Sequence, residues 1–529
     1  MEYLLSALVL LPHLLLMGPL VHIYQLESYQ APGYIRSVRQ NAGALYGRLL
    51  IPWALPMALG VLAAGLDLPA WAAYLITAGC SALAGALSFR AWRKQPAKKP
   101  LVFTARVKRL YGALALVELA LAALALLLPG GAIRLALGQT AGVLLLPAWV
   151  LLGGLLALPV ENAFKAWYYH DAARRLAARE DVIKIGITGS YGKTSSKVIL
   201  GTLLSERYNT LITPASYNTP MGVTRVIRGQ LEEKTQVFVA EMGARHVGDI
   251  AEMCRLVRPT YGLITSVGPQ HLETFHTIER VAATKYELVE ALPPEGMAFF
   301  PSDNEICREL YARTSRVPAA LFGFSGENLA MTARDLRVGS QGCTFTLIDA
   351  GGEARECTTR LLGKHNIQNI LGCAALARRL GLTMDEIAAG IAKLTPVEHR
   401  LEIIPTQNGV TVIDDAFNSN PAGARAALEV IDTFPGRRIV VTPGLVELGE
   451  REAEENEAFG RAMAPVATVA ILVARNARAL EKGLLEAGFD KDNIIITRTL
   501  AQASAALGHL TQAGDVVLFE NDLPDHYEM

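Results

Sequence analysis

Residues 182–195 read Val-Ile-Lys-Ile-Gly-Ile-Thr-Gly-Ser-Tyr-Gly-Lys-Thr-Ser, an apolar and β-branched run that leads directly into a glycine turn. The run Val182–Thr188 predicts a buried strand, and Ser196–Leu204 after the turn predicts a helix. Strand, turn and helix together predict a phosphate cradle, because glycine lets backbone N–H groups approach an anion and a helix N-terminus favours negative charge. In such a cradle Lys193 supplies positive charge and the Thr194 hydroxyl holds Mg²⁺.

The spacing of this turn is shorter than the full GxxxxGK[ST] pattern. Ile187 stands six residues before Lys193, where that pattern has glycine. The GxxGKT form is less specific by itself, so its position between a strand and a helix is what favours a nucleotide site.

Composition bounds the class of protein. The chain has 529 residues, which is too long for one compact core, so several domains are expected. It has 50 basic and 50 acidic residues, and this balance predicts no nucleic-acid partner. The six cysteines form no CxxC pair, which argues against a zinc ribbon and a disulfide framework and favours reduced cytoplasmic thiols.

Nearly all long uncharged apolar runs fall before residue 161. A membrane-spanning helix needs about 20 mostly apolar residues. Five segments qualify, and only the fourth contains a charged residue, Glu118: Tyr3–Leu26, Leu49–Leu66, Leu68–Phe89, Tyr111–Ile133 and Leu135–Val160. The alternative, a cleaved signal peptide followed by buried core helices, is disfavoured because Met1 leads into no basic segment.

Basic residues set the predicted orientation. They are concentrated after the first span (Arg36, Arg39, Arg48) and after the third (eight residues from Arg90 to Arg109). The positive-inside rule then predicts a multi-pass protein of the bacterial cell membrane with its N-terminus outside and everything after residue 160 in the cytoplasm.

Two features of this region leave alternatives open. Glu118 is either a functional group within a span or a structural carboxyl, and the structural reading is favoured because the spans show no partner for it. Asn162–Glu180 mixes aromatic and basic residues, so it is either an amphipathic helix that contacts membrane lipids or a plain linker helix.

Further motifs follow the phosphate loop in a fixed order, and the ordered set resembles the Mur ligases of bacterial cell-wall synthesis, most of all the MurF type. The motifs are Thr188–Lys197 (TGSYGKTSSK), Thr213–Val223 (TPASYNTPMGV), Glu241–Ala244 (EMGA), Ser266–Glu273 (SVGPQHLE), Ala283–Lys285 (ATK), Gly363–Asn369 (GKHNIQN), His399–Glu402 (HRLE) and Asp414–Pro421 (DDAFNSNP). They cover roughly residues 180 to 450.

The resemblance implies an ATP-dependent acid–amino-acid ligase that works through an acyl phosphate. It implies that the ATP loop comprises Gly189, Ser190, Tyr191, Gly192, Lys193, Thr194 and Ser195. It also implies adenine contacts from Asn366 and Asn369, and nucleotide contacts from Arg400 and Asp415. Phe417 stands where MurF-type sequences usually have tyrosine.

The same resemblance implies the metal and catalytic residues. Two Mg²⁺ ions are expected, with Thr194, Glu241, His271 and a carbamylated Lys285 as ligands. The catalytic set is Lys193, Glu241, His271, Lys285 and Arg400. Taken one at a time, Glu241 is also compatible with a surface cap, His271 with a core histidine and Lys285 with a solvated helix lysine.

The expected fold class is an α-helical membrane domain followed by α/β domains. We expect a transmembrane domain at residues 1–160, an amphipathic linker at 161–180, a central P-loop domain with a parallel sheet at 181–395 and a smaller Rossmann-like domain at 396–529. The predicted strands of the last domain are Val410–Ile413, Arg438–Thr442, Thr468–Val473, Asn493–Thr497 and Asp515–Phe519.

Two departures from MurF shape the expected partners. The spans stand where MurF has a UDP-binding domain, so we expect a carboxylate acceptor presented at the membrane, such as a lipid-linked cell-wall precursor or a polymer. The segment Phe519–Pro524 is acidic where MurF-type chains have a lysine-glycine-serine turn, which puts the D-alanyl-D-alanine donor in doubt. An amino acid or a short peptide is the expected second substrate.

Three other functions compete with this one. A polymerising ligase similar to poly-γ-glutamate synthase is the nearest, and the Tyr217–Val223 loop and the Asp414–Pro421 motif favour MurF over it. A nucleotide-driven membrane transport subunit is disfavoured because the spans carry one acidic residue and no inverted repeat. An inactive scaffold is disfavoured because Lys193, Thr194, Glu241 and His271 are all present.

Overall fold

The computed structural model describes the whole chain except residues 1–3, 5–6, 8–9, 12, 44, 48–52, 55–57, 60–61, 63–65, 67–68, 95–99, 126, 128–141, 216, 271, 405, 407, 418, 447 and 522–529, and the side chains of residues 70, 272 and 273. The chain forms two compact units, one within Met1–Ala166 and one within Trp167–Leu523.

The described part of the first unit is helical. Its apolar side chains pack around Tyr34, which is fully buried and whose hydroxyl donates to the Pro147 carbonyl oxygen at 3.2 Å. The helices are α1 (His13–Leu16), α2 (Gly18–Leu26), α3 (Ala31–Gln40), α4 (Ala70–Arg93), α5 (Ala105–Ala125) and α6 (Leu146–Ala177), the last of which continues into the second unit.

Two helices of the described residues are long and apolar enough to cross a membrane, Trp71–Arg93 and Leu146–Ala177, by length and composition alone. They overlap the predicted spans Leu68–Phe89 and Leu135–Val160. The predicted span Leu49–Leu66 lies largely outside the described residues, and the remaining two are described only in part.

Most of the predicted linker Asn162–Glu180 is helical and continues the helix of the last predicted span. Helix α6 runs without a break from Leu146 to Ala177 and contains Pro159 in its interior. Leucine and alanine dominate this stretch and both favour helix, so the change from apolar to charged residues near Glu161 does not end the helix.

Glu118 has a neighbour that the sequence alone did not reveal. Glu118 is fully buried on α5, and its Oε2 lies 3.7 Å from Nδ1 of the buried His13 on α1. The two residues are far apart in sequence, so only the packing of the helices brings them together.

The second unit begins with a nine-stranded sheet in the order β2-β3-β1-β4-β5-β6-β7-β8-β9. The strands rich in Val, Ile and Phe are buried on both faces, as is usual for parallel sheets covered by helices. The strands are β1 (Ile183–Thr188), β2 (Thr210–Ile212), β3 (Val237–Glu241), β4 (Tyr261–Ile264), β5 (Met297–Pro301), β6 (Ala319–Phe322), β7 (Met331–Gly339), β8 (Gly342–Asp349) and β9 (Ala354–Thr359).

The central sheet is mixed, so the expectation of a parallel sheet holds for only part of it. Strands β1 to β7 pair in parallel, whereas β7, β8 and β9 form an antiparallel meander. Short turns at Gly342 and Gly352 join these strands, and a two- to four-residue connection can only join antiparallel neighbours.

Helices cover both faces of this sheet. Helix α7 begins at Lys193, directly after the glycine turn, and packs with α13 against the core around Leu200 and Ile370. The helices are α7 (Lys193–Leu204), α8 (Pro220–Gln230), α9 (Asp249–Val257), α10 (Leu272–Phe275), α11 (Ile278–Glu290), α12 (Glu305–Ala312), α13 (Lys364–Arg379) and α14 (Met384–Ala392).

A six-stranded sheet of order β10-β11-β15-β12-β13-β14 follows, and it is parallel except for β10. The structure places strands at all five predicted positions to within one residue at the start and two at the end. The elements are β10 (Glu402–Ile404), β11 (Thr411–Asp415), α15 (Pro421–Asp432), β12 (Arg438–Thr442), α16 (Glu452–Met463), β13 (Val469–Val473), α17 (Ala477–Glu486), β14 (Ile494–Thr497), α18 (Leu500–Leu510) and β15 (Val516–Glu520).

Helices α16 and α17 approach each other at the level of their backbones. A Cβ atom on Gly483 would lie 2.0 Å from the Glu457 carbonyl oxygen, and one on Gly460 would lie 2.3 Å from that of Leu480. Glycine is therefore required on both helices, because a backbone atom cannot move aside as a flexible side chain can.

We expect Gly483→Ala to destabilise the last domain by roughly 1–3 kcal/mol, the usual cost of overpacking. The matched control is Gly508→Ala on α18, where a Cβ atom meets nothing within 4 Å. That change is expected to be neutral or to stabilise by up to ~1 kcal/mol, because alanine favours helix. Denaturant unfolding of the purified full chain measures both, and an equal loss in the two variants would contradict the packing argument.

Candidate functional site

The candidate site forms where three central strands end at one edge of the sheet. Strand β1 pairs with β3 so that Ile187 lies opposite Glu241, and with β4 so that Thr188 lies opposite Ile264. The carboxyl ends of parallel strands are where α/β proteins gather functional groups. The register therefore places the glycine turn, Glu241 and the Ser266 loop side by side.

Two glycines shape the turn after β1. Gly189 has φ +154°, and a Cβ atom there would lie 2.1 Å from Thr265 Oγ1. Gly192 has φ +79°, in the left-handed region that favours glycine, and its Cβ atom would lie 2.5 Å from Asn369 Oδ1. The turn lies close to the β4 loop at Gly189 and to helix α13 at Gly192, so neither position has room for a side chain.

The other side chains of the turn hold it in place. Ser190 is buried and its Oγ donates to the Gly268 carbonyl at 2.9 Å, while the Tyr191 hydroxyl donates to the Pro269 carbonyl. Lys193 Nζ donates to the carbonyl oxygens of Gly189 at 2.6 Å and Ser190 at 3.1 Å. The ammonium group therefore curls over the turn from the first residue of α7, and Thr194 and Ser195 follow it in the first helical turn.

Glu241 is the most heavily contacted side chain of the site. It is 1% exposed. Its Oε1 accepts from Asn218 Nδ2 at 3.0 Å and Thr194 Oγ1 at 3.2 Å, and its Oε2 accepts from Lys197 Nζ at 2.9 Å. Two segments, helix α7 and the loop that contains Asn218, thus converge on one buried carboxylate.

Sequence reasoning assigned no role to Lys197 or Asn218, although both lie in motifs that it singled out. Lys197 is one helical turn after Lys193 and is itself 1% exposed, with a second bond to the Ala215 carbonyl. The signal was available, since residues four apart on a helix share a face. Lysine is almost never fully buried unless it is paired, so its burial beside Glu241 indicates a required contact.

Lys285 lies on α11 as predicted, but it is buried and not a solvated helix lysine. Burial, followed by the nearby ammonium of Lys193, lowers the pKa of Lys285 to about 7. Burial also lowers the pKa of Lys193 to about 8, against the opposing effect of Glu241. The site therefore contains two lysine side chains that are shielded from water, and a bound anion would stabilise their charged forms.

The two asparagines of α13 occupy different surroundings. Asn369 lies against Gly192 of the phosphate turn. Asn366 is buried and donates to the Leu362 carbonyl at 2.9 Å. Burial lowers the pKa of the neighbouring His365 to about 4, so this histidine is neutral at physiological pH.

Arg400 and Asp415 approach from the last domain. His399 and Leu401 both have positive φ, and this tight turn presents Arg400 between them. Its guanidinium lies 4.8 Å from the centre of the Phe417 ring. Asp415 Oδ1 accepts from the Leu401 backbone N–H at 3.2 Å, and burial raises the pKa of Asp415 to about 6 while Arg400 opposes the rise.

His271 lies outside the described residues, so the structure neither supports nor contradicts its predicted place. Among the described residues, no three His, Cys, Asp or Glu side chains gather as a metal cluster. Thr194 and Glu241 nevertheless offer oxygen donors 3.2 Å apart beside the phosphate turn. Hard oxygen ligands of this kind suit Mg²⁺, so the residues present fit the predicted ion.

Comparison with known proteins agrees with this geometry. The Mur ligase middle domain matches residues 187–377, and the Mur ligase, glutamate ligase domain matches residues 399–520. The chain belongs to the Mur ligase family. The two matched regions coincide with the domain that carries the phosphate turn and the domain that carries Asp415.

The individual relatives are of the MurF type. The UDP-N-acetylmuramoyl-tripeptide--D-alanyl-D-alanine ligase of Escherichia coli is 33% identical over 270 residues, which are 51% of this chain and 59% of that protein. A crystal structure of MurF from Acinetobacter baumannii matches with a TM-score of 0.63 and 26% identity, over 69% of this chain and 78% of the other. MurF ligase from Thermotoga maritima in complex with ADP matches with a TM-score of 0.61 and 25% identity, over 68% and 80%.

This Mur ligase also buries a carboxyl group of the acidic segment Phe519–Pro524, a burial that sequence reasoning did not foresee. Glu520, at the end of β15, is fully buried; one of its oxygens accepts from Ser419 Oγ and the other from Thr442 Oγ1 at 3.2 Å. Burial raises the pKa of Glu520 to about 8, and the neighbouring Asp415 contributes to the rise. The carboxyl is therefore largely protonated at neutral pH. Residues 522–524 of the acidic tail lie outside the described residues.

We expect Gly192→Ala to weaken ATP binding at least tenfold, because alanine there meets Asn369 and also adopts a left-handed conformation that costs about 1–2 kcal/mol. The matched control is Gly488→Ala, at φ +82° with nothing within 4 Å of its Cβ atom. It carries the same backbone strain without the clash. Titration calorimetry with ATP compares the two, and unchanged affinity in Gly192→Ala would contradict this account of the turn.

Glu520 predicts a pH-dependent stability. Its pKa in the folded protein is about 8, above the 4.5 of an ordinary carboxyl, so folding favours the protonated form. This contribution is complete below about pH 4.5 and is lost as the pH rises through about 8. We therefore expect Glu520→Gln to melt higher than the wild type at pH 9, with a smaller difference at pH 6. The exposed Glu356→Gln should follow the wild type at every pH.

Proposed function

We propose that the chain is an ATP-dependent ligase that joins a carboxylate of a cell-wall peptide precursor to an amino compound. The observation that carries this proposal is the buried Glu241 carboxylate, held by Thr194, Lys197 and Asn218 at the edge of the phosphate turn. The Glu241 carboxylate contacts both Thr194 of the phosphate loop and Asn218 of the Thr213–Val223 loop. The residues proposed to bind ATP and those proposed to bind the acceptor are therefore held by the same side chain. The family membership and the MurF relatives agree with this chemistry.

The proposed reaction converts an unreactive carboxylate to an acyl phosphate, which an amine then attacks with release of phosphate. Backbone N–H groups of Gly189, Gly192 and Ser195 would cradle the phosphates, whereas those of Ser190 and Tyr191 donate to the carbonyl oxygen and the Oγ of Ser266. Lys193 and Arg400 would neutralise the charge that develops on the transferred group. Asn366 and Asn369 would hold the adenine side, with Asp415 on the side of the last domain.

Thr194, Glu241, His271 and Lys285 are the proposed ligands of two Mg²⁺ ions. When bound, the metal neutralises the crowded phosphate oxygens. Carbamylation of Lys285 would supply the further carboxylate. It requires a neutral amine, and a pKa lowered to about 7 by burial makes a large fraction of Lys285 neutral at physiological pH.

The acceptor is the part of the proposal in which this chain departs from its relatives. Their name states that they join a UDP-N-acetylmuramoyl-tripeptide to D-alanyl-D-alanine. This chain spans 59% of the length of the Escherichia coli relative, and its first unit contains candidate membrane spans. We propose that the chain is a multi-pass membrane protein with its ligase domains in the cytoplasm, and that its acceptor is the lipid-linked form of such a precursor.

The amino donor is proposed to be an amino acid or a short peptide that presents an amine to the last domain. Glu520 ends β15 within the segment Phe519–Pro524, where MurF-type chains usually have a lysine-glycine-serine turn. A buried carboxyl that accepts from Ser419 and Thr442 offers no cation to a dipeptide carboxylate. D-alanyl-D-alanine is therefore expected to be a poorer donor than an amine without that group.

The proposal is tested by phosphate release from ATP with the detergent-purified full chain. We expect release only when an acceptor and an amine are both present, with the amide product detected by mass spectrometry. Acceptors are UDP-N-acetylmuramoyl-tripeptide and its lipid-linked counterpart, and donors are amino acids and D-alanyl-D-alanine. ATP hydrolysis at the same rate with and without the amine would favour a transport subunit instead. Activity with the soluble acceptor alone would refute the proposal of a lipid-linked acceptor.

Variants separate the proposed roles within this assay. Lys193→Ala is expected to lower the rate about 100-fold or more, the usual loss for a group that stabilises developing charge. Lys285→Ala should be similarly impaired but partly restored by added acetate or formate, which replace the missing carboxylate. Failure of these anions to restore Lys285→Ala would contradict carbamylation and leave the ligase reaction intact.

A further inference from the structure

A pocket of about 660 Å³ lies beside the Thr213–Val223 loop in the second unit. Its walls come from the end of helix α6, from that loop and from helix α8. The residues used below are Tyr168, Arg175, Tyr217, Thr219, Arg225 and Arg228. Helix α6 is also the helix whose apolar first half is a candidate membrane span.

The charge of this pocket is strongly positive. Three arginines line it, and none of the described lining residues is acidic. Asp171 pairs with Arg175 at 3.0 Å and with Arg228 at 2.8 Å, so one carboxylate serves both. Three arginines against one carboxylate leave a net charge of +2, which matches the two negative charges of a diphosphate diester.

Aromatic neighbours position two of the three arginines, Arg228 and Arg225. The Arg228 guanidinium lies 3.9 Å from the centre of the Tyr168 ring, and Arg225 Nη1 donates to the Tyr217 hydroxyl at 3.1 Å. Stacking fixes the plane of a guanidinium while leaving its N–H groups available for a planar anion. The two tyrosines also provide flat surfaces against which a sugar or a base can lie.

Two polar atoms in the pocket wall have no hydrogen-bond partner among the described residues. They are Nη1 of Arg228 and Oγ1 of Thr224, and Thr224 is 1% exposed. A buried donor without a partner costs about 1–3 kcal/mol, so such atoms are rare unless a ligand satisfies them. The N-terminus of α8, which Thr219 caps, lies in the same wall of the pocket and favours an anion there.

The pocket is linked to the ligase site through one peptide unit. Tyr217 lines the pocket, and the next residue, Asn218, donates to Glu241. A ligand whose anionic part occupies the pocket would therefore have its remainder close to the phosphate turn. This is the arrangement that an acceptor needs if its carboxylate is to meet ATP.

We propose that this pocket binds the diphosphate group of the acceptor, and that Arg175, Arg225 and Arg228 are its anion ligands. The inference rests on the proposed ligase function and adds the chemical class that holds the acceptor in place. The diphosphate comes either from a soluble nucleotide-linked precursor or from a polyprenyl-linked one. Both present the same group to the three arginines.

The test measures binding to the full chain while a non-hydrolysable ATP analogue and Mg²⁺ saturate the phosphate turn. The probes are inorganic pyrophosphate, UDP in solution and polyprenyl diphosphate in nanodiscs. Wild-type protein is expected to bind pyrophosphate, and Arg175→Gln and Arg225→Gln are each expected to bind it about tenfold more weakly, the loss of one charge-assisted contact. Tighter binding of UDP or of polyprenyl diphosphate identifies the source.

Arg360→Gln is the matched control, because Arg360 is an exposed arginine that does not line the pocket. It should bind pyrophosphate as the wild type does, and all four proteins should bind the ATP analogue equally. The inference is overturned if wild-type protein does not bind pyrophosphate at millimolar concentration, or if Arg360→Gln weakens binding as much as the pocket variants. In those cases unchanged ATP binding and amine-dependent phosphate release would leave the ligase function standing.

Discussion

The candidate site depends on one buried contact, the carboxylate of Glu241 with the ammonium of Lys197 on helix α7. Neither side chain reaches solvent, so each stabilises the charge of the other in surroundings where an isolated charge would be very costly. Thr194 and Asn218 complete the set of donors to the carboxylate. Removing either member of the pair would leave the other charged and unpaired, and the turn, the Thr213–Val223 loop and helix α7 would lose their common anchor.

The wider electrostatics of the site follow from the same burial. Lys193 and Lys285 are held close together, and burial lowers the pKa of both. Arg400 enters from the last domain, where burial also lowers its pKa and Asp415 and Glu241 oppose that effect. A protein tolerates several poorly solvated cations in one place when an anion is to bind there. A triphosphate is such an anion, and this explains why the cations come from two domains.

The last domain adds a second buried carboxyl of opposite character. Burial raises the pKa of Glu520, and the hydrogen bonds from the Ser419 and Thr442 hydroxyl groups oppose that rise only in part. The two glutamates show how one residue type serves two purposes according to its partners. Glu241 is available as a charged ligand beside the phosphate turn, whereas Glu520 is a neutral hydrogen-bonding group at the end of β15.

The sequence by itself determined the strand, turn and helix of the phosphate loop, the five main strands of the last domain and the family, because these depend on local periodicity and on motifs of fixed spacing. It did not determine the antiparallel meander β7-β8-β9, the continuity of α6, the pairing of His13 with Glu118 or the burial of Lys197 and Glu520. Each of these depends on which distant segments meet. Only tertiary structure decides whether a charged side chain finds water or a partner, since that depends on packing and not on the identity of its neighbours in the chain.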